Sequence, residues 1–166
     1  MKTCTVNGNS QHNQSPPANI YSLPRFRVSL VRENRAAAPS LPISTSVTAA
    51  ALLAPSFKGI DREQFVICGL DAKHRIIGLN IVSIGSLTLS IVHPREVFKP
   101  LILMNACAAL CAHNHPSGDP APSAEDRTLT ARLRQAGEIL GITLLDHIIL
   151  GDDRTYSFAD HSWPCA

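Results

Sequence analysis

The sequence predicts an α/β fold, a sheet flanked by helices, and three observations carry that expectation. Strand-like and helix-like segments alternate through the second half of the chain, as in a layered α/β domain. "QFVICGLD" (64–71) is apolar on both faces, as a strand covered on both sides must be. "SAEDRTLTARLRQAGEILG" (123–141) places Leu129, Leu133, Ala136 and Leu140 at the helical period. A chain of 166 residues, 45% hydrophobic and 17% charged, suits one globular domain with a real core.

Taken in order, residues 1–45 are expected to be a loosely ordered region and linker. Residues 1–19 are rich in Asn, Gln, Ser and Pro and lack an apolar period. Within "YSLPRFRVSLVRE" (21–33), alternation of Phe26, Val28 and Leu30 suggests a strand. A domain over 46–153 follows, then a tail over 154–166. Ser46 is placed to cap a short helix that ends near Pro55. After the strand at 64–71, "IIGLNIVSIG" (76–85) is β-branched and strand-like, and "SLTLSIV" (86–92) is a third apolar segment. "HPREVFKPLILMNA" opens a helix with Pro94 at its first position. Pro100 should kink that helix or end it early. "CAALCAHNH" (107–115) and "ITLLDHIILGD" (142–152) read as core strands, and Gly141 is placed to end the helix between them.

Composition excludes some function classes. A net charge of +2 is too weak to argue for nucleic-acid binding. The chain has no run of about 18 apolar residues, so no membrane span is expected. The N-terminus has no apolar secretory core, so a cytoplasmic protein with reduced thiols is expected from its five cysteines. Cys107 and Cys111 are close enough to suggest a metal pair, but both also suit a small apolar role.

The chemistry-bearing stretch is "HNHPSGDPAPSAED" (113–126). In a strand, residues i and i+2 face the same way, so His113 and His115 aim two imidazoles at one point, with Asn114 opposite. A Pro/Gly-dense turn then reverses the chain. Asp126, in the first turn of the next helix, could face back to supply a third metal ligand, as a zinc site with one open position needs. Ser123 and Asp126 equally form a capping box, with Asp in place of the usual Glu. Spacing alone leaves both readings open. His147 and Asp146 interrupt an apolar strand; His147 either touches the site or is a buried, hydrogen-bonded histidine.

The same stretch resembles the signature of the RadC-like branch of the JAB/MPN (JAMM) metalloprotease superfamily: His-x-His, seven residues, Ser-x-x-Asp. "IVHPREVF" (91–98) and "LLDHIILGD" (144–152) are similar to other RadC segments, and the likeness spans about residues 21–153. It implies a JAB/MPN-like, cytidine-deaminase-like domain with a mixed central sheet. It implies a zinc ion on His113, His115 and Asp126, with Ser123 holding water or the oxyanion. An upstream glutamate is expected as general base. Glu63 matches its position, with Glu96 and Glu125 as rivals. The implied activity is zinc-dependent hydrolysis of a peptide or isopeptide. The alternative is a DNA-repair or mobile-element accessory protein whose zinc-binding domain is non-proteolytic. The helix-hairpin-helix-like region of longer members has no counterpart in residues 1–45, which weakens a DNA partner.

Overall fold

The computed structural model describes residues 27–31, 33, 42–85 and 92–164. A five-stranded mixed sheet with helices on both faces bears out the predicted α/β class. Its order is β2-β1-β3-β4-β5, with β1 at Gln64–Leu70, β2 at Ile76–Ile84, β3 at Ala108–Asn114, β4 at Thr143–Leu150 and β5 at Thr155–Ser157. The β1–β2, β1–β3 and β4–β5 pairs are antiparallel, whereas β3 and β4 run parallel. A parallel pair needs a crossover, and α3 (Ala124–Leu140) supplies it.

Side-chain alternation divides the core into two clusters. Val66, Cys68 and Leu70 of β1 and Leu110 and Ala112 of β3 pack under α1 (Ser46–Leu53). Phe65, Ile67, Ala109 and Cys111 point the other way, to α2 (Pro94–Leu103) and α3, meeting Phe98, Leu101 and Leu133. Each such large side chain, fully buried, contributes roughly 1.5–3 kcal/mol. This two-sided burial is why β1 and β3 carry almost no polar residue until their ends at the site.

Several boundaries differ from the sequence reading. Thr45 caps α1, accepting from the Thr48 amide, and Ser46 is the first helical residue. α2 runs through Pro100 to Leu103. Only the amide that Pro lacks is forgone, and the buried Pro100 ring packs as an apolar side chain. Residues 27–31 form no strand, and Val28 is exposed; Phe26 lies outside the described residues, as do 86–91 of the third apolar segment. In the stretch expected as a tail, the described residues 154–164 hold two further elements. Thr155–Ser157 form the edge strand β5, and α4 (Phe158–His161) follows with Phe158 fully buried. Asp146 fastens this segment by accepting from the Ser157 hydroxyl at 2.6 Å and the Ala159 amide at 3.0 Å. Among the described residues, no helix is long and apolar enough to cross a membrane.

Candidate metal centre

His113 continues the α3-facing side of β3 beyond Cys111, opposite Phe65 of β1, and is almost wholly buried. His115 follows on the same side, just past the strand end, and is partly open to solvent. A turn brings the chain back. Gly118 has φ +79°, the left-handed conformation that favours glycine. Ser123 then caps α3 with the predicted capping box. Its hydroxyl accepts from the Asp126 amide at 3.0 Å, and its own amide donates to Asp126 Oδ2 at 2.8 Å.

The cap therefore also aims Asp126. Its Oδ1 lies 3.2 Å from His113 Nε2, its Oδ2 lies 3.4 Å from His115 Nε2, and the two Nε2 atoms are 3.0 Å apart. Among the described residues, His113, His115 and Asp126 form a group that could hold a metal ion. A tetrahedral zinc with ligands at 2.0–2.1 Å would space neighbouring ligand atoms by about 3.3 Å. The two imidazole nitrogens and the carboxylate lie near that spacing, with Oδ1 facing His113 and Oδ2 facing His115.

The remaining hydrogen bonds sharpen the fit. His115 Nδ1 lies 2.7 Å from the Asp119 carbonyl, which can only accept, so Nδ1 carries a proton. Neutral His115 thus presents a lone pair on Nε2 towards the Asp126 carboxylate, where a cation would be held between them. The Asp126 carboxylate beside His115 raises the imidazole pKa above its ordinary value, against the effect of burial. Burial pushes the Asp126 pKa up, but its hydrogen-bonding neighbours, His115 and Ser123 among them, outweigh it and hold the carboxyl well below the usual range.

Behind His113 stand His147, which the sequence offered as a neighbour of the site or a buried histidine, and Thr130, which sequence reasoning did not single out. His147 Nε2 lies 2.8 Å from His113 Nδ1, and His147 Nδ1 lies 2.6 Å from Thr130 Oγ1. His147 is both a buried, hydrogen-bonded histidine and a neighbour of the site. Burial pushes its pKa well below the ordinary histidine value, so it is neutral. Phe158 stacks on its ring and Phe65 meets it edge-on. Thr130 stands one helical turn after Asp126 on the same face, a spacing visible in the sequence.

Glu63 immediately precedes β1 and is half-buried. Continuing the β1–β3 register two residues beyond Phe65–His113 sets Glu63 beside His115, and its charge helps raise the His115 pKa. Asn114, the middle residue of His-x-His, accepts from the Gln64 amide at 2.8 Å and donates to the Arg62 carbonyl at 3.0 Å. It therefore grips the backbone on both sides of Glu63. The rivals lie elsewhere: Glu96 is exposed and pairs with Arg95 and Lys99, and Glu125 is exposed on α3. Cys107 is exposed and Cys111 is in the buried apolar cluster, so the two are not gathered at the site. His93 caps α2, accepting from the Arg95 amide on Nδ1. An open groove of about 780 Å³ adjoins the site, between Phe57, Lys58 and Ile60 on one side and His115, Pro116 and Asp152 on the other.

Fold and site together define an α/β domain whose sheet end gathers a His, His, Asp set able to hold a metal ion. A family model described as a RadC-like JAB domain matches residues 43–163, and the chain belongs to that family. A UPF0758 protein of Methanosarcina mazei is 40% identical over 162 residues, which is 98% of this chain and 69% of that protein. A UPF0758 protein of Shouchella clausii is 53% identical over 110 residues, 66% of this chain and 48% of the relative. One from Moorella thermoacetica is 50% identical over 113 residues, covering 68% and 49%. The matched stretch thus spans about half the length of the latter two relatives.

Proposed function

We propose that this chain is a zinc-dependent hydrolase of the JAMM type, a metallopeptidase or isopeptidase acting in the cytoplasm. The observation that carries the reading is the convergence of His113 Nε2, His115 Nε2 and Asp126 at zinc-ligand spacing, with Glu63 beside His115. A bound zinc ion would polarise the scissile carbonyl and lower the pKa of an attacking water. Glu63 takes the proton from that water and returns it to the leaving amine, so no covalent enzyme intermediate is formed. Solvent and substrate enter on the His115 side, because His113 is sealed behind Phe65 and His147. The adjoining groove would receive an extended peptide or isopeptide chain. Ser123 would meet the tetrahedral oxyanion only by giving up its 2.7 Å bond to Asp126 Oδ2.

A metal-dependent cleavage screen against a peptide library tests this directly. Glu63→Gln should retain zinc and lose about 10²–10⁴-fold in rate, the contribution typical of a general base. His113→Ala should lose the zinc itself by elemental analysis. Cleavage that survives Glu63→Gln would remove Glu63 from the mechanism, and unchanged zinc in His113→Ala would remove the ligand assignment.

A further inference from the structure

Thr130 and His147 sit on different elements, α3 and β4, and line up behind His113, on the side of its Nδ1. Read from the acceptor-only Asp126 carbonyl, the hydrogen bonds between them and His113 take one consistent direction. The Asp126 carbonyl can only accept, so the Thr130 hydroxyl proton goes to it, at 2.6 Å. Thr130 Oγ1 has no second proton to give, so in its 2.6 Å bond to His147 Nδ1 it accepts. His147 therefore carries its proton on Nδ1, and the Nε2 of this neutral ring is a lone pair. His113 Nδ1, 2.8 Å from that lone pair, must donate. With its proton on Nδ1, His113 keeps a free Nε2 lone pair facing His115 and Asp126.

We propose that Thr130 and His147 are positioning residues that fix the tautomer of His113 in its metal-binding form. The path is closed on one residue. It starts at the Asp126 backbone carbonyl, passes through Thr130, His147 and His113, and ends at the Asp126 carboxylate. Asp126 thus sets both the third ligand and the tautomer of the first. Phe158 stacks on the His147 ring and Phe65 meets it edge-on, which packs it between Thr130 and His113. Histidine ligands commonly donate their second N–H to a carboxylate or a carbonyl. Here a second, non-ligating imidazole takes that place, and a hydroxyl behind it sets its polarity. The inference rests on the metal reading of His113, His115 and Asp126, but not on peptidase activity.

Long-range proton–nitrogen correlation spectra of the ¹⁵N-histidine-labelled full chain report the tautomer without any substrate. Metal-free wild type should show His113 protonated on Nδ1. His147→Gln, which accepts with its amide oxygen and donates to Thr130 with its amide nitrogen, should keep that form. His147→Leu and Thr130→Val should show His113 shifting towards protonation on Nε2. Competition titration with Zn²⁺ alone should find His147→Leu weaker by about 10–100-fold, with most of the loss restored in His147→Gln. Thr130→Val, nearly isosteric, carries the test if His147→Leu does not fold. Wild-type His113 protonated on Nε2, or full Zn²⁺ affinity in a folded His147→Leu, would overturn the relay alone. Wild type that binds no Zn²⁺ would overturn the metal reading beneath it.

Discussion

Ser123 and Asp126 hold each other through three hydrogen bonds: the Ser123 amide and hydroxyl both donate to Asp126 Oδ2, and the Asp126 amide donates back to Ser123 Oγ. One motif therefore starts α3 and aims the carboxylate proposed as a metal ligand. Ser123→Ala should cost about 0.5–2 kcal/mol of stability, the usual loss of an N-cap. It should also weaken Zn²⁺ binding by about 10–100-fold, because Asp126 loses a partner that orients it. Thermal denaturation and a competitive zinc titration on the same variant measure the two effects separately. A cap loss with unchanged zinc affinity would show that the aiming comes from elsewhere.

Asn114 predicts a different pattern. Its side chain holds the Gln64 amide and the Arg62 carbonyl, on either side of Glu63. Asn114→Ala leaves that amide unpaired, which should cost about 1–3 kcal/mol where it is buried. Zinc content should stay near wild type, since Asn114 points away from the ligands, while any cleavage rate falls with the displaced Glu63. Equal losses of zinc and rate would contradict this separation.

Zinc affinity should rise with pH. The His115 pKa is raised by Asp126, so the proton on its Nε2 competes with the ion to higher pH than an ordinary imidazole would allow. Binding then releases that proton, and log affinity should climb by about one per pH unit until His115 is neutral. A flat profile from pH 6 to 8 would count against His115 as a ligand.

His147 sets an acid limit on the fold. Its folded pKa lies well below 6.5, so its contribution to stability is present above about pH 6.5 and is lost as pH falls towards the folded value. Over that window the metal-free wild type should lose up to about 1.4 kcal/mol per pH unit relative to His147→Gln, which has no such proton to take up. His115 acts in the opposite sense, because a raised pKa favours the folded state at low pH. It is common to both proteins, so the difference between their denaturation curves isolates His147.

Most of the fold was legible in the sequence because both central strands are apolar on both faces and α3 keeps a clean period between Ser123 and Gly141. The β5–α4 segment was not, because its anchor is Asp146, a buried polar residue whose partners lie 11 and 13 positions onward. The metal group was legible because its three donors fall within 14 residues, where strand and helix periodicity dictate direction. Glu63 and His147 are 50 residues before and 34 residues after His113, so only sheet register brings them near. Their roles needed the antiparallel β1–β3 and parallel β3–β4 pairings, which no local pattern specifies.

That register has a consequence for how the protein breathes. The centre draws on the start of β1, the end of β3, the middle of β4 and the first turn of α3. Any partial opening that peels one of these away dismantles it, so a bound ion favours only molecules in which all four are closed at once. Zinc should then slow amide exchange most in the openings that part β3 from its neighbours, merging separate local events into a single cooperative one.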